Sequence, residues 1–254
     1  MKRIKIGAFA FFIVLLLMPL GHTLMVLLEH IFQSAKFISA GAVGFLGLLL
    51  LSVGVVKQNN KNTATMLGLL GGVLVWTGWI EFSFVWIAQR LEIQPLIENG
   101  EIATKPEYLV MMSSVGLLST FGLYYLFNKS NCQFFGWIQR KLGFSKYLNF
   151  KNANSKPVAV TTFIELIMVI WTFYLVLLFV YDNEFAGDKH PLTYFVAFGS
   201  LFWAAYLIKQ LIKIQKFDYA IRYAIPTVVI FWNFVEILGR WDMFKEIWVH
   251  PAEH

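Results

Sequence analysis

Ile6–His30 reads IGAFAFFIVLLLMPLGHTLMVLLEH, an apolar run that holds a histidine at position 22 and ends on Glu29 and His30. A hydrocarbon layer about 30 Å thick takes about 20 apolar residues at a rise of 1.5 Å each. The stretch therefore predicts a transmembrane helix rather than a piece of a water-soluble core. The preceding MKRIK gives it the start of a signal peptide. The run nevertheless continues past Pro19 to Leu28, with no small-x-small cleavage site after a short apolar region, so an uncleaved first span is expected.

Similar runs recur along the whole chain, and no stretch is left for a soluble domain. Spans are predicted over about 6–28, 37–56, 65–89, 108–127, 158–181, 191–213 and 219–238. Each should be helical, because a segment facing lipid must satisfy its own backbone hydrogen bonds. The expected fold is thus all-α: a single polytopic integral membrane bundle of seven helices. Composition agrees, since 58% of the 254 residues are hydrophobic and only 14% are charged. A single cysteine, Cys132, excludes an internal disulfide framework and any Cys-based zinc or iron–sulfur site.

The formal charge of +6 is a topological signal rather than a nucleic-acid footprint. With connections assigned alternately to two sides, one side carries most of the 21 Lys and Arg. These are Lys2, Arg3 and Lys5, then Lys57 and Lys61, then the basic loop 128–157, then Lys209, Lys213, Lys216 and Arg222. The positive-inside rule makes that side cytoplasmic, with the N-terminus inside and the C-terminus outside. Most carboxylates and all five histidines fall toward the other side. Loop 128–157 mixes Phe134, Phe135 and Trp137 with Arg140 and Lys141, the pattern of a basic interfacial helix on an anionic leaflet. Segment 239–254 spaces Trp241, Phe244 and Trp248 like its counterpart on the outer surface. The small residues Gly41, Gly44 and Gly47, Gly68, Gly71 and Gly72, and Ser113, Gly116 and Thr120 predict close helix contacts. The expected setting is a bacterial inner (cytoplasmic) membrane; the partners are the lipid bilayer and further membrane subunits or copies of the chain, with no nucleic acid.

The chemistry is expected at the outer side. His22 and Glu81 lie about 9 and 12 Å below the outer ends of their spans, where the two can meet. A lone charge there costs at least about 2.5–3.5 kcal/mol, so Glu81 should be neutral, paired or bound to a cation. Mixed imidazole and carboxylate groups suit copper, iron or zinc. The metal ligand candidates are His22, His30, Glu81, Asp188 and His190, and the catalytic candidates are Glu81, Glu236 and Asp182. Haem held by His22 and His190 is the less favoured cofactor. No metal motif fixes the assignment, since no HExxH is present.

Each residue also has a structural reading. His22 can hydrogen-bond Glu81, Glu236 can pair with Arg240 four residues on, Asp188 can cap the sixth span, and Glu165 can pair with Arg222 or Lys209. The leading expectation is a membrane metalloprotein with an outer-facing His/carboxylate site, an oxidoreductase or a subunit of one. The alternatives are a proton- or cation-coupled transporter or channel using Glu81 and Glu165, and a non-catalytic membrane subunit or scaffold.

Overall fold

The structure, a computed structural model, describes residues 2–98, 101–128, 132–144 and 157–244. Ten α-helices account for most of these residues: α1 (Lys2–Phe32), α2 (Lys36–Val56), α3 (Lys61–Val75), α4 (Phe82–Arg90), α5 (Pro106–Met112), α6 (Val115–Phe127), α7 (Gln133–Lys141), α8 (Val158–Tyr181), α9 (Pro191–Leu211) and α10 (Phe217–Arg240). A π-helical segment, Trp76–Glu81, joins α3 to α4 without a break. The strands among the described residues are β1 (Leu96–Glu98) and β2 (Glu101–Thr104), paired antiparallel in the connection after α4.

Every stretch expected to be a span is mostly helical, the fourth being broken by a turn at 113–114. By length and composition five helical segments can cross a membrane, with Lys5–Val56 taken as one; the number is six if α5 and α6, which meet at 45°, form one crossing. The expected count of seven differs from this because only a short 3-10 turn, Gln33–Ala35, separates α1 from α2. Gln33 takes φ 34° there, and Glu29 and Lys36 pair across the turn at 3.2 Å. Near its start α1 lays Gly7 against Leu211 and Ile212. Near its end α2 lays Gly54 against Ala159 and Ala64. Those contacts belong to one end of the bundle, where the starts of α3, α8 and α10 line a shared depression, so α1 and α2 run antiparallel. This end carries Lys57, Lys61, Lys213 and Lys216; the opposite end carries Glu29, Glu92, Asp182, Glu184, Asp188 and Asp242. They are called the basic and acidic ends below.

Helices α8 and α10 form the centre, with Leu166, Val169, Ile221, Ile225 and Ile230 fully buried. Around them Phe9, Phe12, Leu16 and Leu20 of α1 stand more than half exposed, as expected of a lipid-facing stripe. Between apolar helices in lipid, dispersion and close approach replace the hydrophobic effect as the adhesive. The small residues act accordingly on α2 and α3. Gly47 and Gly71 each meet the other's carbonyl so closely that an added Cβ would lie 2.8 Å from it. Gly41 and Gly116 face open space instead, so the expected small faces are only partly used.

Two connections differ from expectation. The basic segment does contain a helix, α7, but Phe134 and Phe135 are buried in the bundle rather than turned to lipid. Phe135 stacks on Tyr125 at 5.4 Å, and Gln139 donates to the last carbonyls of α6 at Tyr125, Leu126 and Asn128. The reason is unmet backbone polarity: the end of α6 needs donors and Gln139 supplies them. At the other terminus α10 stops at Arg240 and residues 241–244 form a turn. The rest of both expected interfacial segments, 129–131, 145–156 and 245–254 with His250 and His254, lies outside the described residues.

Candidate functional site

A cavity of about 730 Å³ opens among α1, α3, α8 and α10 and is reached past Lys105, Asp188, Arg240 and Asp242 of the acidic end. Its floor is apolar, built from Val14, Leu69, Leu166 and Val229; above the floor stand His22, Thr77, Glu81, Asn233 and Glu236. The volume falls in the range of small-molecule sites, which are mostly apolar with a few placed polar groups.

Glu81 reaches the cavity through a local irregularity. The wide turn Trp76–Glu81 re-aims the side chains that follow it, and such turns recur at functional positions. It is held by α2: Gly78 packs on the backbone of Ala40 and Gly44, and the Trp79 indole donates to the Gly41 carbonyl at 3.1 Å. Trp76, at the start of the same segment, lines the cavity with Glu81. Trp76 also begins an aromatic wall, with the Tyr174 ring 6.2 Å from it and the Tyr108 ring 5.7 Å beyond that.

Two polar atoms in the cavity lining lack partners. Glu81 is 4% exposed and Asn233 2%, and neither Glu81 Oε2 nor Asn233 Nδ2 has a hydrogen bond. A buried group left this way costs about 1–3 kcal/mol, so it calls for an explanation. No ion pair among the described residues reaches Glu81. Glu236 accepts from the Trp232 indole at 2.5 Å.

At the mouth Arg240 grips both Asp188 oxygens, at 3.0 and 3.1 Å, while the Trp241 indole donates to the Asp188 carbonyl at 2.8 Å. Asp188 is therefore a mouth residue and not the cap of α9. The cap is His190, whose Nδ1 accepts from Leu192 N at 3.2 Å, with Pro191 following it.

The candidate residues divide. His22, Glu81, Asp188 and Glu236 line one cavity. His22 and Glu81 share the cavity, but the Glu81 Oε2 is left without a hydrogen bond, so the expected His22–Glu81 bond does not satisfy it. His30 lies in the last turn of α1, Asp182 accepts from Glu184 N at 2.9 Å, and His190 caps α9; none of the three lines the cavity. Among the described residues no three His, Cys, Asp or Glu side chains gather closely enough to hold a metal ion.

Glu165 belongs to the basic end. It is fully buried, pairs with Arg222 at 3.3 Å and accepts from Gln133 N at 2.7 Å and Phe134 N at 3.3 Å. It thus caps α7 while neutralising an arginine, and the cavity does not include it. The aromatic wall and Thr77 carry no spacing that marks them in the sequence.

No protein-family model matches the chain, and no curated protein or solved structure does either.

Proposed function

We propose that this chain is a seven-span membrane carrier for a small solute, coupled to protons or cations at Glu81. In this reading the N-terminus is cytoplasmic, the acidic end faces outward, and the cavity is an outward-open binding site. The observation that carries it is the partnerless Glu81 oxygen in the wall of a cavity whose lining extends to Lys105, Asp188, Arg240 and Asp242 at the acidic end. A carboxyl inside a membrane span must take up a proton or a cation to be tolerated. Among the described residues no arginine or lysine forms an ion pair with Glu81, so exchange with the cavity is its natural chemistry.

The antiparallel α1 and α2 support counting them as two crossings, and the bent α5–α6 pair supports a further one. The bias of basic residues to the end opposite the cavity mouth supports the orientation. The buried Glu165–Arg222 pair serves as the inner closure in this reading rather than as a proton station.

The test is proton movement in liposomes holding the purified protein, followed by an internal pH dye. Flux driven by an imposed pH gradient is expected in the wild type and lost in Glu81→Gln. Flux that survives the substitution unchanged contradicts the reading.

A second reading, a metal-dependent membrane oxidoreductase, is favoured by one observation: His22 and Glu81 line the same cavity. It requires a ligand set completed by solvent or substrate. Stoichiometric copper, iron or zinc in the purified protein, lost in His22→Ala, is its expected signature.

A further inference from the structure

The cavity's chemistry narrows what it takes. We infer that its ligand is a small aromatic amine bearing a hydrogen-bonding oxygen, with the ammonium on Glu81, the oxygen on Asn233 and the ring against Trp76, Tyr174 and Tyr108. The inference rests on the carrier reading and adds the substrate class to it.

Three independent observations converge. Glu81 Oε2 offers an acceptor and Asn233 Nδ2 a donor, both buried and both without a partner. One ligand satisfies the pair if it carries a donor cation and an acceptor oxygen, whereas a simple cation leaves the amide unmet. Next, the field is acidic: the cavity is lined by Glu81, Asp188, Glu236 and Asp242 against Lys105 and Arg240, and Arg240 is already held by Asp188. A cleft dominated by one sign of charge concentrates ligands of the other. Last, the wall beside Glu81 is a continuous run of aromatic rings, and ring faces attract ammonium groups at short range. The protein uses that contact at the mouth, where the Arg240 guanidinium sits 5.2 Å from the Tyr181 ring centre. An anionic ligand could satisfy the Asn233 donor but would face the Glu81 carboxyl, the acidic lining and the ring faces unfavourably.

Three probes share a phenyl ring and a hydroxyl and differ in charge: phenylethanolamine (cation), phenylethylene glycol (neutral) and mandelate (anion). Binding to the full-length protein in lipid nanodiscs is measured by isothermal titration calorimetry. The amine is expected to bind at least about tenfold more tightly than the glycol, a margin of about 1.4 kcal/mol, with no binding of mandelate. Glu81→Gln is expected to weaken amine binding at least about tenfold. Asn233→Leu is expected to weaken phenylethanolamine more than phenethylamine, which lacks the hydroxyl. That second comparison holds its meaning if Glu81→Gln fails to fold.

Equal binding of the glycol, tighter binding of mandelate, no binding of the amine, or amine binding indifferent to both substitutions overturns the assignment. Proton flux measured in parallel separates the two ideas. Loss of flux in Glu81→Gln with no preference for the amine sinks the ligand class alone. Flux unaffected by Glu81→Gln sinks the carrier reading beneath it.

Discussion

Glu81 and Glu165 are both acidic residues buried among apolar helices, and the chain treats them in opposite ways. Glu165 is saturated by Arg222 and two backbone amides of α7; Glu81 has an unpartnered Oε2 facing a cavity. The first arrangement is structural. Removing one partner of a buried pair strands a charge and costs about 3–5 kcal/mol, whereas replacing both by apolar groups is far milder. Arg222→Ala is therefore expected to lower the thermal midpoint in detergent sharply. The double variant Glu165→Leu with Arg222→Leu should recover part of the loss, though not the cap on α7. A double variant less stable than Arg222→Ala alone contradicts this. Cys132, beside the same cap, is buried, and burial pushes its thiol well above the ordinary range. Its thiolate is scarce at neutral pH, so maleimide should label the folded protein slowly and the denatured protein fast. Rapid labelling of the folded protein would show the α7 contact to be open.

At the scale of elements, the segment Trp76–Glu81 connects packing to function. It is wedged against α2 at Gly78, where an added Cβ would lie 2.5 Å from the Ala40 oxygen and the Gly44 nitrogen, both backbone atoms that cannot step aside. Gly78→Ala is expected to cost about 1–3 kcal/mol, the usual range for overpacking, and to diminish flux by displacing Glu81. Stability and flux at wild-type levels would sever the link between the turn and the site. This element also shows where sequence reading stopped. Helix placement was legible because apolar runs bounded by Lys57, Lys61, Pro157 and Pro191 leave little freedom. The π turn was not, since one extra residue in a helical turn changes no periodicity that a short window resolves. For the same reason the meeting of His22, Glu81 and Glu236 in one cavity was anticipated from depth, while the placing of His190 and Asp182 was not. Those two side chains serve backbone amides at helix ends, a competing use that spacing alone does not reveal.

For the whole molecule, the central claim is a direction: a bundle closed at its basic end and open at its acidic end, with Glu81 reached from outside. The Lys and Arg bias is the ground in the sequence for proposing that direction, and the antiparallel turn at Gln33–Ala35 is what brings both ends of the α1–α2 pair back to the basic end. Thr77 lines the cavity in the same π turn as Glu81, and a cysteine there is nearly isosteric. The decisive measurement uses Thr77→Cys in a Cys132→Ala background, exposed to a membrane-impermeant cationic thiol reagent in vesicles of known orientation. Asn59→Cys, at the basic end, serves as the control for the other side. The account predicts that position 77 is labelled from the outer face only and position 59 from the cytoplasmic face only. Labelling of position 77 from the cytoplasmic face, or from neither face while position 59 reacts, would contradict it.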